Sequence, residues 1–232
     1  MDTLDTGHLV ALALIAVVAL VATALARRRP GAWIPAFSRL LAVVILTAYV
    51  VENVAAIDQG IWTARRFLPL HLSDVVTIVA ALAMWTARPL PFELTYFWGL
   101  TASLQATLTP DLGDAFPDVF YFTFFITHGG VVVAAIFLAA GRRMVARSGA
   151  VLRIFAYTVG VAALAAIGNA ATGGNYMWLR EKPDSASLLD LLGPWPVYIL
   201  ATGALALAMF YVLDTPFRRH RRAAGPRTPA AD

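Results

Sequence analysis

Polar positions divide this chain into seven apolar stretches, at about Gly7–Leu25, Ser38–Ile57, Pro69–Thr86, Phe92–Leu108, Pro117–Ala140, Val151–Ala171 and Trp195–Leu213. A bilayer core about 30 Å thick needs roughly 20 helical residues at 1.5 Å each, and every stretch has or approaches that length. Lipid offers the backbone no hydrogen-bond partners, and a helix supplies them internally. The pattern predicts an all-α polytopic membrane protein, a bundle of seven transmembrane helices. The connections are too short for a separate soluble domain, so residues 1–217 read as one transmembrane domain and residues 218–232 as a basic, disordered tail.

Composition agrees. The chain is 59% hydrophobic and 14% charged, against about 25% charged in soluble domains, and its mean hydropathy is +0.71. It has no cysteine, which removes disulfides, thiolate nucleophiles and cysteine-ligated metals or clusters. The net charge of +4 does not point to nucleic acid, because the basic residues follow the membrane. With seven spans, 14 of the 18 Lys and Arg fall on one side, around Arg27–Arg29, Arg88, Arg142–Arg153 and Arg218–Arg227. The positive-inside rule makes that side cytoplasmic, with the N-terminus outside and the C-terminus inside, in a multi-pass protein of the cell membrane. The first stretch is read as a helix and not a cleaved leader: Asp2 and Asp5 precede it and three arginines follow it, the reverse of a signal peptide.

Polar groups within spans are costly and each needs a partner or a purpose. They are Glu52 and Asn53 in the second stretch, His71, Ser73 and Asp74 opening the third, Gln105 late in the fourth, His128 within the fifth and Asn169 late in the sixth. In the topology above nearly all lie in the outer half, with Asp111, Asn175 and Tyr176 roofing them. His8 is expected at the interface, and Glu52 is expected to meet water or to pair with Arg65 or Arg66. Gln105 and Asn169 also suit interhelical hydrogen bonding. His71 and Asp74, three residues apart, share a helical face.

His128 stands among apolar neighbours, and imidazole suits a general base. Ser73 and Thr77, one turn apart, are the hydroxyls it would activate. Depth opposes this pairing: His128 lies roughly 16 Å below Pro117 and Ser73 only roughly 6 Å below Pro69. A metal on His71, Asp74 and His128 is the weaker arrangement, and neither metal nor cofactor is expected. No Gly-x-Ser-x-Gly elbow or phosphate loop is present.

The Pro-Leu-His-Leu-Ser-Asp run at 69–74, Leu-Thr-Pro-Asp at 108–111, the His128 helix opening Phe-Pro-Asp-Val, and Gly-Asn-Tyr-Met-Trp-Leu-Arg-Glu-Lys-Pro at 174–183 resemble the YwaF-type family of bacterial integral membrane proteins. That family is similar to the eukaryotic transmembrane protein 164 type of phospholipid acyltransferase. It is more distantly similar to androgen-induced hydrolases, which use a Thr and a His on fatty esters. The resemblance implies seven helices and a cysteine nucleophile where this chain has Ser73. The departure excludes a thioester and leaves a serine ester, Thr77, or no covalent step.

The expectation is an enzyme of acyl transfer or hydrolysis on lipid acyl esters, with membrane lipids as partners. His128, Ser73, His71, Asp74 and Thr77 would be catalytic, with Glu52, Asn53, Gln105, Asp111, Asn169, Asn175 and Tyr176 binding substrate. The alternative is a proton-coupled transporter or a small-molecule binding membrane protein using the same ionisable groups, although no internal repeat is evident. A retinal pigment is excluded, because Lys182, the one lysine, lies in a loop.

Overall fold

The computed structural model describes residues 5–110, 112, 113, 115–183 and 187–223. They are helical, with no strand among them. Helix α1 (Thr6–Arg28) is capped by Asp5, whose carboxylate accepts from His8 N–H at 2.7 Å. Pro30 and Gly31 turn the chain into α2 (Trp33–Asp58). Helix α3 (Leu72–Thr86) ends at Ala87 in the left-handed region, and Pro89 then opens α4 (Pro89–Trp98). This helix runs on through a π turn, Gly99–Ser103, into Leu104–Leu108.

Asp118 caps α5 (Val119–Ile136), which ends in a second π turn, Phe137–Gly141. Helix α6 (Ala150–Thr172) is bounded by Gly149 and Gly173, at φ 73° and 72°. After short 3-10 turns at Tyr176–Trp178 and Leu188–Leu192 comes α7 (Val197–Ala223). Each of the seven expected stretches thus falls on a helical rod. Five of the rods are long and apolar enough to cross a bilayer. The other two are α3, of 15 residues, and the segmented α4.

Helix α5 is the hub. Its best apolar window is 67% buried, against 17% for α1 and for α7, whose exposed leucines and valines, such as Leu20 and Leu200, suit contact with lipid. Gly129 and Gly130 explain its central position: a Cβ on Gly129 would collide with Ile15 of α1, and one on Gly130 with Ile45 of α2. Two bare backbone positions therefore admit two neighbouring helices at close range. Val131 meets Gly99 in the α4 π turn on another side.

The ends of the bundle differ chemically. At one end the start of α1 meets the end of α4: His8 is wholly buried, and its Nε2 donates to Thr107 O at 2.8 Å. It therefore ties the first turn of α1 to the end of α4. At the other end Glu93, wholly buried at the start of α4, is held by Arg147 and Arg153. Asp214 binds Arg218 at 2.7 Å and Arg221 at 2.9 Å. Those pairs explain why α7 does not stop near Leu213: it continues through Pro216 to Ala223, so residues 218–223 are helical. Residues 224–232 lie outside the described residues.

Candidate functional site

Helix α3 is about 22 Å long, short of a bilayer, because its first residues sit inside the bundle and not at its end. The turn-rich approach through Arg65–Leu70 runs beside α6. Arg65 Nε and Nη2 both donate to Gly173 O, at 3.2 and 3.0 Å. A Cβ on Gly174 would lie 2.7 Å from Arg65 O, and one on Gly168 would meet Leu70. Gly168 is a full turn before the end of α6. Leu70, which leads into His71 and Ser73, therefore enters the bundle a turn before the end of α6.

At the recessed start, Asp74 Oδ2 accepts the backbone N–H of His71 at 3.0 Å. The His71–Asp74 relationship is thus a helix cap, not a carboxylate steering an imidazole. The imidazole faces the Asp74 backbone N–H of that capping box, and its Nδ1 also accepts Met177 N–H at 3.3 Å. Its ring also stands edge-on to Tyr176, with centroids 5.0 Å apart. Met177 and Trp178 take positive φ, 56° and 55°, a conformation that costs non-glycine residues of order 1–3 kcal/mol each.

Asn169 holds that turn. It is buried at 2% exposure, accepts Tyr176 N–H at 2.6 Å and donates to Tyr176 O at 3.1 Å. Tyr176 in turn donates its hydroxyl to Ala64 O at 2.7 Å and accepts Leu68 N–H at 3.0 Å. Burial pushes its phenol above the usual range, which keeps it a donor. Asn175 closes the same segment through Glu181 O and the N–H groups of Arg180 and Glu181. The polar atoms of Asn169, Asn175 and Tyr176 are therefore engaged in shaping the site's wall.

His128 sits on α5, half-buried. Its Nδ1 lies 3.0 Å from Phe124 O. A carbonyl can only accept, and the Thr127 hydroxyl 3.3 Å away spends its own proton on Thr123 O, so Nδ1 carries the proton and Nε2 holds a lone pair that no described residue engages. Phe124 stacks on the ring with centroids 4.2 Å apart. His128 and His71 are near enough for their charges to interact. Helix α3 also packs on α5.

Ser73 and Thr77 differ. Thr77 is 3% exposed, and its hydroxyl donates to Ser73 O at 2.8 Å. Ser73, one turn nearer the start of α3 and half-buried, has a hydroxyl that bonds to no described residue. On α2, Glu52 is half-buried and forms no ion pair among the described residues, since Arg65 is spent on Gly173. It interacts electrostatically with Asp74 and with Tyr49, a residue the sequence reading overlooked. Tyr49 also feels Asp74 and Tyr176, so it links α2, α3 and the 176 turn. Asn53 donates to Tyr49 O and accepts from Trp62 Nε1.

Gln105 lies apart from this group, exposed, with its amide on Thr109 Oγ1 at 2.7 Å. Asp111 lies outside the described residues. Among the described residues no three His, Asp or Glu side chains converge to hold a metal ion. The arrangement offers one imidazole with a free lone pair, one with a free N–H, an unengaged serine hydroxyl and two carboxyl groups without cations.

A model of the TMEM164 family matches residues 3–214. The chain is also similar to an uncharacterised protein of Treponema pallidum (strain Nichols), with 32% identity over 164 residues. That match covers 70% of this chain and 66% of the relative, just under two thirds of its length. No solved structure matches the chain. With the family match running from the start of α1 to Asp214 in α7, this helical membrane protein belongs to the TMEM164 family.

Proposed function

We propose that the chain is an integral membrane enzyme acting on lipid acyl esters, by transfer or hydrolysis. In this reading it is a YwaF-type bacterial member of its family, spans the cell membrane seven times, and faces the cytoplasm with its arginine-rich end. The observation that carries the proposal is the state of His128. Its Nδ1–H is tied to Phe124 O, its Nε2 is unengaged, and α3, with the free hydroxyl of Ser73, packs against its helix.

Ser73 Oγ attacks the ester carbonyl carbon while His128 Nε2 takes the hydroxyl proton. His71, whose Nδ1 is occupied by Met177 N–H, presents Nε2–H to the developing oxyanion. Collapse expels the lysolipid alcohol, which takes the proton back from His128. Water or a second alcohol then releases the acyl group from Ser73 by the same proton route. Apolar walls suit acyl chains, and membrane lipids are the substrate source.

The test is release or transfer of a labelled acyl chain from phospholipid by the purified full chain. His128→Ala should lower the rate about 10²–10⁴-fold with folding retained. Wild-type protein inert toward every lipid ester would refute the reading. One observation favours a second reading: Glu52 and Asp74 interact without a cationic partner among the described residues, which suits a proton-coupled carrier. Proton-driven solute uptake lost in Glu52→Gln would support that alternative.

A further inference from the structure

Two consecutive residues, neither of them glycine, hold the left-handed conformation at Met177 and Trp178. Backbone strain of this kind persists only where the surroundings over-determine it. Here the surroundings are visible. Asn169 clamps both backbone polar groups of Tyr176, and the Tyr176 hydroxyl is fastened to Ala64 and Leu68. What the strain delivers is one N–H, that of Met177, to one acceptor, His71 Nδ1.

A backbone N–H cannot accept. The contact therefore forces the lone pair of His71 onto Nδ1 and its proton onto Nε2. At His128 the contact is with a carbonyl oxygen, and the assignment is the reverse. The imidazoles of His71, at the start of α3, and His128, on α5, against which α3 packs, are thus held in opposite tautomers, one presenting an Nε2–H and the other an Nε2 lone pair.

We propose that Asn169 and the strained Met177–Trp178 turn are positioning elements that lock His71 as a hydrogen-bond donor opposite the acceptor His128. This deepens the acyl-transfer reading and rests on it for the use of the donor, which is to hold the ester carbonyl oxygen. The lock itself does not depend on which reaction follows. It explains why Asn169 and Tyr176, although polar and beside the site, spend their polar atoms on backbone.

The experiment is ¹⁵N-histidine NMR of the full chain in lipid nanodiscs at a pH where both rings are neutral. Resonances are assigned with His71→Gln and His128→Gln; the chain's four histidines keep the spectrum simple. The expected wild-type result is His71 protonated at Nε2 and His128 at Nδ1. Asn169→Leu should turn His71 into a tautomer mixture and leave His128 unchanged, while Asn169→Asp, which can still accept Tyr176 N–H, should recover part of the bias. Met177→Gly, which keeps the N–H and relieves the strain, should retain it. Wild-type His71 protonated at Nδ1 would overturn the proposal even if no variant folds, and so would an Asn169→Leu spectrum identical to wild type.

In the same samples Asn169→Leu should lower kcat for lipid-ester turnover by up to about 100-fold with little change in KM, as a misaligned donor does. If the tautomers are as stated but wild-type protein turns over no ester, the lock stands and the enzyme reading falls.

Discussion

Arg147 grips Glu93 at three points: its backbone N–H reaches Oε1 at 2.8 Å, its Nε reaches Oε1 at 2.9 Å and its Nη2 reaches Oε2 at 3.0 Å. Arg153 closes the other side at 3.1 and 3.2 Å. A carboxylate with no solvent exposure thereby ties the start of α4 to the segment entering α6. Removing both guanidinium groups, Arg147→Ala with Arg153→Ala, strands the buried charge and should cost about 3–5 kcal/mol. Glu93→Gln should cost less. Denaturation midpoints in detergent compare them, and a double variant as stable as wild type would remove the staple from the account.

Gly174→Ala should destabilise the approach to α3. Its added carbon would face Arg65 O at 2.7 Å, a backbone atom that cannot swing aside, so a loss of about 1–3 kcal/mol is expected. Gly160→Ala, where nothing lies within 4 Å, is the control and should leave the melting temperature unchanged or raise it, since Ala suits a helix better than Gly.

Ser73→Cys places the single thiol of the molecule at the proposed nucleophile, because the chain contains no cysteine. Half-buried and without a protein hydrogen bond, it should react with a small alkylating reagent in the folded protein, whereas Thr77→Cys, at a position 3% exposed, should not. Acyl transfer should survive Ser73→Cys, be blocked by the reagent, and fall sharply in Ser73→Ala. Full activity in Ser73→Ala would move the attack to Thr77 or to water.

Reporters fused to the two termini should fall on opposite sides of the membrane, the C-terminal one cytoplasmic. The expectation rests on the sequence reading that puts 14 of 18 basic residues on one side and on four of them, Arg147, Arg153, Arg218 and Arg221, pairing with Glu93 and Asp214. Termini on the same side would require one helix, with the short α3 the first suspect, not to cross.

The seven rods were legible because apolar runs report burial in lipid directly, and His71, Asp74 and His128 stood out because such residues are rare in those runs. Glu93 did not stand out: it sits near a stretch boundary, where an acid reads as solvated, and its arginines are more than 50 positions away. Tyr49 was invisible for a related reason, since an aromatic within an apolar run looks like packing until α3 and the 176 turn meet it. Asn169, Asn175 and Tyr176 were legible as polar groups of this region, but not their partners. Sequence shows that they are polar and near the site, but only coordinates show that backbone amides and carbonyls use up their bonding capacity.

The adjacent glycines of α5 also bear on how the protein is made. Ile15 and Ile45 belong to helices translated before α5, yet the sockets that receive them, at Gly129 and Gly130, are translated only with α5. Until then α1 and α2 have only each other, α3, α4 and lipid to rest against. Closure of the bundle around α1 and α2 therefore depends on a glycine pair that lies later in the chain than either of them.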